Sequence, residues 1–120
     1  MTEGLRIKRI YDPAAPEDGQ RVLVDRVWPR GVTKEKASLS LWLREIAPST
    51  ALRQWFGHQP DRWDEFLRRY HTELDGNESA VATLRGLVEA GPVTLLYGAH
   101  DTLHNNAQAL VNYMRENERR

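Results

Sequence analysis

The 120-residue sequence contains no cysteine, and that absence excludes several kinds of site. Without thiols a chain has no disulfide, no thiolate metal site, no iron–sulfur cluster and no cysteine nucleophile. No apolar run approaches the ~18 residues that a membrane span requires, and the first eight residues lack the apolar centre of a signal peptide. We therefore expect a cytoplasmic protein without a membrane partner.

An excess of either charge is also lacking, since 17 Lys plus Arg balance 17 Asp plus Glu. Zero net charge argues against bulk electrostatic binding to nucleic acid or to an anionic membrane. Acidic residues are interleaved with the basic ones and leave no long positive stripe, so we expect no nucleic-acid partner. The length allows one domain, which we predict over residues 1–120 with its ordered part at about 5–116.

Three segments have the patterns of β-strands. Residues 5–11 alternate apolar and basic side chains, which predicts a strand with one buried face near a sheet edge. Residues 21–28 open with three consecutive branched apolar residues, which is typical of a covered strand in a parallel sheet. Residues 92–97 contain a short apolar run and are predicted to be a second central strand.

Apolar residues at helical spacing predict helices in the rest of the chain, over 39–46, 50–56, 60–75, 78–90 and a final stretch to about 117. Ser49 and Asn77 are expected N-caps, and Asp101 or Thr102 is expected to cap the last helix. This order of elements predicts the α/β class. We expect a single compact domain with a small, mostly parallel sheet flanked by helices.

Charged residues follow the second predicted strand, and ligands of open α/β sheets bind beyond the carboxyl ends of strands. Arg26 and Arg30 lie close together there, where two guanidinium groups can form a planar clamp for an anion. Asp25 follows three apolar residues, where an unpaired carboxylate is costly to bury. In the plainer alternative, Asp25 pairs with an arginine and only fixes the loop.

A second polar segment follows the strand at 92–97. Gly98 permits close approach of the backbone, and the helix start beyond it offers free N–H groups to an anion. His104 and Asn105 are expected in the first turn of that helix, where a histidine can act as a general acid or base. In the plainer alternative both are solvated residues and Asp101 is only an N-cap.

His100 and His104 are candidate metal ligands, because they have a spacing found in helical ligand pairs. His100 is expected to precede the helix, and no second ligand cluster accompanies the pair, so we predict neither a metal nor a cofactor. His58 and His71 are isolated and are expected to be surface or capping residues rather than metal ligands. Six aromatic residues lie close together in the helical part of the sequence: Trp42, Trp55, Phe56, Trp63, Phe66 and Tyr70. They are expected to pack in the core or, together with Trp28, to form an apolar wall of the site.

Three segments resemble the YeaO-like proteins, which belong to the family called domain of unknown function 488. They are Val-Leu-Val-Asp-Arg-Val-Trp-Pro-Arg-Gly-Val at 22–32, Ala-Pro-Ser-Thr-Ala-Leu-Arg-Gln-Trp-Phe-Gly-His at 47–58, and Val-Thr-Leu-Leu-Tyr-Gly-Ala-His-Asp with His-Asn-Asn-Ala within 93–107. The resemblance covers about residues 5–114. It implies a compact α/β domain of bacterial cytoplasmic proteins with no established reaction.

The resemblance also marks positions within this chain. They are Asp25, Arg26, Trp28, Pro29, Arg30, Gly31, Tyr97, Asp101, His104 and Asn105. The family pattern usually has histidine where this chain has Asn106, and longer relatives carry cysteines near the site. Neither a mechanism that needs two histidines nor thiol chemistry is therefore carried over to this chain.

Two hypotheses for the function follow. In the first, Arg26 and Arg30 hold a small anionic ligand, Asp25 and His104 are the candidate catalytic residues of an unassigned reaction, and the remaining ligand-binding candidates are Trp28, Gly31, Tyr97, Asp101 and Asn105. In the second, the protein is a non-catalytic interaction module or a homo-oligomer that docks through its edge strand and through Trp55 or Trp63. The sequence leaves the oligomeric state open.

Overall fold

Four parallel β-strands form the sheet of the computed structural model, which describes residues 2–118. The strands are β1 (Leu5–Arg9), β2 (Gln20–Leu23), β3 (Leu41–Trp42) and β4 (Val93–Tyr97), and their order across the sheet is β1-β4-β2-β3. β1 lies at an edge, and β2 and β4 are central, as the sequence predicts. The predicted α/β fold with a small parallel sheet is confirmed.

Five α-helices are present within residues 2–118: α1 (Lys34–Ala37), α2 (Thr50–Phe56), α3 (Trp63–Asp75), α4 (Glu78–Ala90) and α5 (Asn106–Glu118). A 3₁₀ turn at Pro60–Arg62 leads directly into α3, so the predicted helix over 60–75 is present in two parts. The helices predicted over 50–56 and 78–90 have the observed bounds.

The main core lies between one face of the sheet and helices α2 to α5, where Val22, Leu95 and Tyr97 meet apolar side chains of the helices. A smaller cluster, which includes Leu23 and Leu96, covers the opposite face. Because both faces are covered, every residue of β4 is buried. This two-sided burial is the reason that the parallel strands have continuous apolar runs.

Residues 39–46 do not form the predicted amphipathic helix. They form the short edge strand β3 and a 3₁₀ turn at Arg44–Ile46. The Ser40 N–H donates to the Arg21 carbonyl at 2.8 Å, and the Leu43 N–H donates to the Leu23 carbonyl at 2.9 Å. These bonds give the backbone groups at this edge of β2 hydrogen-bond partners. This long-range bonding overrides the local helical pattern.

The predicted N-caps have different outcomes. The Ser49 hydroxyl accepts a hydrogen bond from the Leu52 N–H at 3.1 Å, so the predicted cap of α2 is confirmed. Asn77 precedes α4 but does not cap it with its side chain, which instead donates to the Glu45 carbonyl at 2.8 Å. The Asn77 side chain thus ties the start of α4 to the 3₁₀ turn after β3.

A buried ionic cluster that the sequence pattern did not predict joins β1, β2 and α1. Asp18 and Arg21 are each 4% exposed. The Arg21 Nη1 donates to Asp18 Oδ2 at 2.6 Å, the Arg21 Nε and Nη2 donate to the Ala37 carbonyl, and the Lys8 Nζ lies 2.9 Å from Asp18 Oδ1. The buried charges have partners of opposite sign, which is the condition under which burial of charge is tolerated.

The ordered part of the chain extends beyond the predicted bounds of about 5–116 at both ends. The structure extends α5 through Glu118, and the Thr2 hydroxyl donates to Glu118 Oε2 at 2.6 Å. Met1 and residues 119–120 lie outside the described residues. Among residues 2–118, no helix combines the length and the apolar character that crossing a membrane requires.

Candidate functional site

The loops that follow β2 and β4 meet at the carboxyl edge of the sheet. Asp25 Oδ2 accepts a hydrogen bond from the Gly98 N–H at 2.9 Å, although the two residues are 73 positions apart. The Asn106 side-chain amide hydrogen bonds to the same carboxylate and donates to the Val24 carbonyl at 2.7 Å. A Cβ on Gly98 would lie 3.2 Å from Asp25 Oδ2, so glycine permits this close approach.

Opposing effects act on the pKa of the Asp25 carboxyl. Burial raises the pKa of the Asp25 carboxyl, and hydrogen bonds from Gly98 and Asn106, together with the positive charge of Arg53, oppose that rise. The carboxylate therefore has partners of its own, which fits the interpretation that Asp25 fixes the loop. Its position also places a negative charge next to the cavity described below.

A cavity of about 230 Å³ opens beside the contact between Asp25 and Gly98. The side chains that line it come from α2, from α3 and from the segment around the start of α5. No carboxylate is among them within the described part of the chain. The lining residues are Pro48, Arg53, Gln54, Phe56, His58, Phe66, Ala99, His104, Asn105 and Asn106.

Arg53 is the residue of this cavity that the sequence interpretation missed. It lies on α2 between the buried residues Leu52 and Phe56. Its Nε is buried, and no hydrogen-bond acceptor among residues 2–118 reaches it. A buried donor without an acceptor costs about 1–3 kcal/mol. The signal available in the sequence was its place within the family-like segment 47–58.

His104 is oriented by a neighbouring carboxylate. Its Nδ1 lies 2.9 Å from Asp101 Oδ2, and its ring meets the Trp63 ring edge-on with centroids 5.3 Å apart. Hydrogen bonds from the Leu103 N–H, the His104 ring and the His104 N–H lower the pKa of the Asp101 carboxyl. An ionised Asp101 favours the tautomer protonated at Nδ1, which leaves Nε2 as the nitrogen available to a ligand.

The start of α5 corrects the prediction that Asp101 or Thr102 caps this helix. The helix begins at Asn106, so His104 and Asn105 precede it. Asn105 is the capping residue, because its Oδ1 accepts a hydrogen bond from the Gln108 N–H at 2.8 Å. Asp101 instead closes a turn before the helix by accepting from the Leu103 and His104 N–H groups.

The predicted clamp of two arginines is not assembled at the cavity. The Arg26 Nη2 donates to the Ala47 carbonyl at 3.0 Å and its Nε donates to the Pro48 carbonyl at 3.4 Å. Arg30 is exposed, and its carbonyl accepts a hydrogen bond from the Tyr11 hydroxyl at 2.9 Å. Neither arginine lines the cavity. Arg26 therefore holds the chain before α2, and Arg53 is the guanidinium that lines the cavity.

The other predicted ligand-binding residues lie away from the cavity lining. The Trp28 Nε1 donates to the Val32 carbonyl at 2.8 Å. Gly31, with φ 77°, lines a separate depression beside Tyr11. Tyr97 is buried in the main core. Of the predicted site residues, His104 and Asn105 line the cavity.

Part of the aromatic cluster forms the apolar wall of the cavity. The Phe56 and Phe66 rings lie 4.6 Å apart between centroids, and Trp63 stacks on Phe66 at 5.5 Å. Phe56 and Phe66 line the cavity, whereas Trp28 does not. His58, which was expected to be an isolated surface residue, is exposed and also lines the cavity.

Metal ligands are not grouped in this site. Among residues 2–118, no three His, Cys, Asp or Glu side chains are placed so that they could hold a metal ion. His104 is paired with Asp101, and His58 lies on another element of the cavity.

Comparison with known proteins places the chain among uncharacterised relatives. A family model described as the "Inactive DUF488-N3 subclade" matches residues 4–120. The uncharacterized protein YeaO of Escherichia coli is 40% identical over 111 residues, which cover 92% of this chain and 96% of YeaO. An uncharacterized protein of Mycobacterium tuberculosis is 41% identical over 107 residues, 89% of this chain and 90% of its own length. No solved structure matches the chain.

Proposed function

Since the chain belongs to the YeaO-like DUF488 family, we propose that it is a small-anion-binding domain without catalytic activity. The matching family model is described as inactive, and that description favours binding over catalysis for this chain. The binding site is the cavity at the carboxyl edge of the sheet, with Arg53 as the residue that contacts the anion.

The buried, unpartnered Nε of Arg53 carries this proposal. A guanidinium group pairs with planar or tetrahedral anions through parallel N–H bonds, which are among the stronger hydrogen bonds in proteins. Gln54 lines the same cavity with a side-chain amide that adds N–H donors, and the lining contains no carboxylate within residues 2–118. A small anion therefore completes the hydrogen bonding of this site.

The chemistry of the lining residues also favours binding over catalysis. The pair of Asp101 and His104 has the geometry of a general base with its orienting carboxylate. However, the described lining contains no serine, threonine, cysteine or lysine that this pair could activate. At the position where the family pattern has a second histidine, Asn106 bonds to Asp25 and Val24. The cavity thus has donors for a ligand, and its described lining supplies no hydroxyl, thiol or amine nucleophile.

The test of the proposal is calorimetric titration of the purified protein with acetate and with inorganic phosphate. We expect at least one of them to bind with 1:1 stoichiometry and Arg53→Gln to weaken that binding at least about tenfold, a change of about 1.4 kcal/mol. The matched control is Arg68→Gln, which removes the same charge from an exposed site paired with Glu65. Absence of saturable binding, or equal loss in both variants, would contradict the proposal.

A second candidate function is association with a protein partner or a second copy of the chain. Val27 is 62% exposed and Leu103 is 68% exposed, and they lie on the two loops that the contact between Asp25 and Gly98 joins. A contiguous exposed apolar patch is typical of association surfaces, and Val27 and Leu103 are the candidate members of such a patch. Light scattering on wild type and Leu103→Ser tests this candidate, which requires an assembly that the substitution weakens; a wild-type monomer at all concentrations counts against it.

A further inference from the structure

We infer that the anion bound at this cavity is a compact monocarboxylate with an apolar body, about the size of benzoate, rather than phosphate or a phosphorylated compound. This inference rests on the proposed function and specifies the ligand class of the same site. Three properties of the cavity carry it: its volume, the composition of its walls and the charges behind its lining.

The volume limits the ligand to a small molecule. The cavity measures about 230 Å³, below the roughly 300–1,000 Å³ of pockets for drug-sized ligands. A single aromatic ring or a short branched chain with one charged head fits this size class. A nucleotide, with a base, a sugar and a phosphate, exceeds it.

The walls favour a ligand that has an apolar part. Phe56, Phe66, Pro48 and Ala99 line the cavity beside the polar groups. The Phe56 and Phe66 rings lie 4.6 Å apart between centroids and are 6% and 2% exposed, so each presents a small part of its surface to the cavity beside Pro48 and Ala99. An apolar ligand body removes this surface and its own from water, which is favourable, whereas a fully hydrated phosphate ion gains nothing from it.

The surrounding charges favour a single negative charge on the ligand. Arg53 is the one arginine of the described lining, and it already interacts electrostatically with Asp25. His104 also lines the cavity, and its ring is paired with the Asp101 carboxylate. His58 lines the cavity from an exposed position. A second ligand charge would therefore lie near the carboxylates of Asp25 and Asp101, with no second arginine and no lysine in the described lining to match it, and like charges repel more strongly at a partly buried site than in water.

Calorimetric titration with matched probes tests the inference. Benzoate and acetate differ in apolar body, and benzenesulfonate and phenylphosphonate share a ring and a tetrahedral head but differ in charge at a pH where the phosphonate is a dianion. We expect benzoate to bind at least about tenfold more tightly than acetate, and benzenesulfonate at least about tenfold more tightly than phenylphosphonate. Benzyl alcohol, which is neutral, should show no binding.

The outcomes separate this inference from the proposed function. If phosphate or phenylphosphonate binds as tightly as benzoate, the inference is overturned and anion binding stands. If benzoate binds no better than acetate, the role assigned to the aromatic wall is wrong. If no anion binds, the proposed function itself fails.

A variant addresses the role of Asp25 separately. In Asp25→Asn the side-chain oxygen can still accept the hydrogen bond from Gly98, while the negative charge is removed. We expect the affinity for phenylphosphonate to rise by about tenfold, with a smaller change for benzenesulfonate. The control Asp64→Asn, on the exposed first turn of α3, should change neither affinity. An equal change for both probes in Asp25→Asn would contradict the role of its charge. If this variant does not fold, the wild-type comparison of the two probes still decides.

Discussion

Replacement of Asp18 by asparagine is expected to destabilise the fold by an amount that depends on pH. Burial alone raises the pKa of the Asp18 carboxyl, but hydrogen bonds from Lys8, Ala15 and Arg21 lower it from 3.8 to about 2. Because the pKa in the folded state is below that in the unfolded state, the carboxylate stabilises the protein fully above about pH 4 and loses this effect as the pH falls through about 2.

The magnitude follows from the same cluster. The lowered pKa corresponds to about 2 kcal/mol of stability that is present at neutral pH and absent in strong acid. At neutral pH the variant also leaves the buried guanidinium of Arg21 without its carboxylate partner, a kind of change that costs about 3–5 kcal/mol in total. That loss is a large fraction of the roughly 5–15 kcal/mol of a folded domain.

Urea unfolding of wild type and Asp18→Asn over a range of pH measures this effect. We expect the difference in unfolding free energy to shrink by about 2 kcal/mol as the pH falls from about 5 to about 2. Asp12→Asn, on an exposed loop, is the matched control and should show no such change. A difference that stays constant with pH, or one that the control reproduces, would contradict the role assigned to the Asp18 carboxylate.

Three further substitutions test contacts that shape the fold and the site. Gly19→Ala adds a Cβ 2.4 Å from the Pro92 carbonyl oxygen at a residue with φ 64°. Thermal unfolding should show that the free energy of unfolding falls by at least about 2 kcal/mol. A variant as stable as wild type would contradict this. Tyr70→Phe removes the buried bond to the Ile46 carbonyl and should cost about 1–3 kcal/mol in urea unfolding, whereas a cost near zero would mean that this carbonyl finds another donor. Ser49→Ala removes the cap of α2 and should cost about 1 kcal/mol and weaken anion binding, because Arg53 lies on that helix; unchanged binding would separate the helix start from the site.

Local patterns were sufficient to predict most of the fold. The alternation in β1, the apolar run of β4 and the helical spacing of α3 and α4 each reflect burial along one element, so they are visible in sequence. The short strand β3 was not predictable in this way. Two residues carry too little pattern, and their conformation depends on hydrogen bonds to β2.

The candidate site was predictable only in part for the same reason. Convergence of the loops after β2 and β4 follows from the general geometry of parallel sheets, and the hydrogen bond between Gly98 and Asp25 confirms it. The roles of the arginines depend on contacts between distant elements. Arg26 bonds to carbonyls at Ala47 and Pro48, and Arg53 lines the cavity because α2 packs near the start of α5. Such contacts between distant elements produce no periodic pattern in the sequence.

Direct observation of the Arg53 side chain tests whether an anion binds at this cavity. In a proton–nitrogen NMR spectrum, the Nε–H signal of Arg53, assigned by its loss in Arg53→Gln, is followed during titration with benzoate. We expect a saturable shift of this signal and of two signals from the same site, the backbone signal of Gly98 and the side-chain signal of Asn106. An Arg53 signal that does not move while exposed arginines such as Arg68 shift without saturation would contradict it.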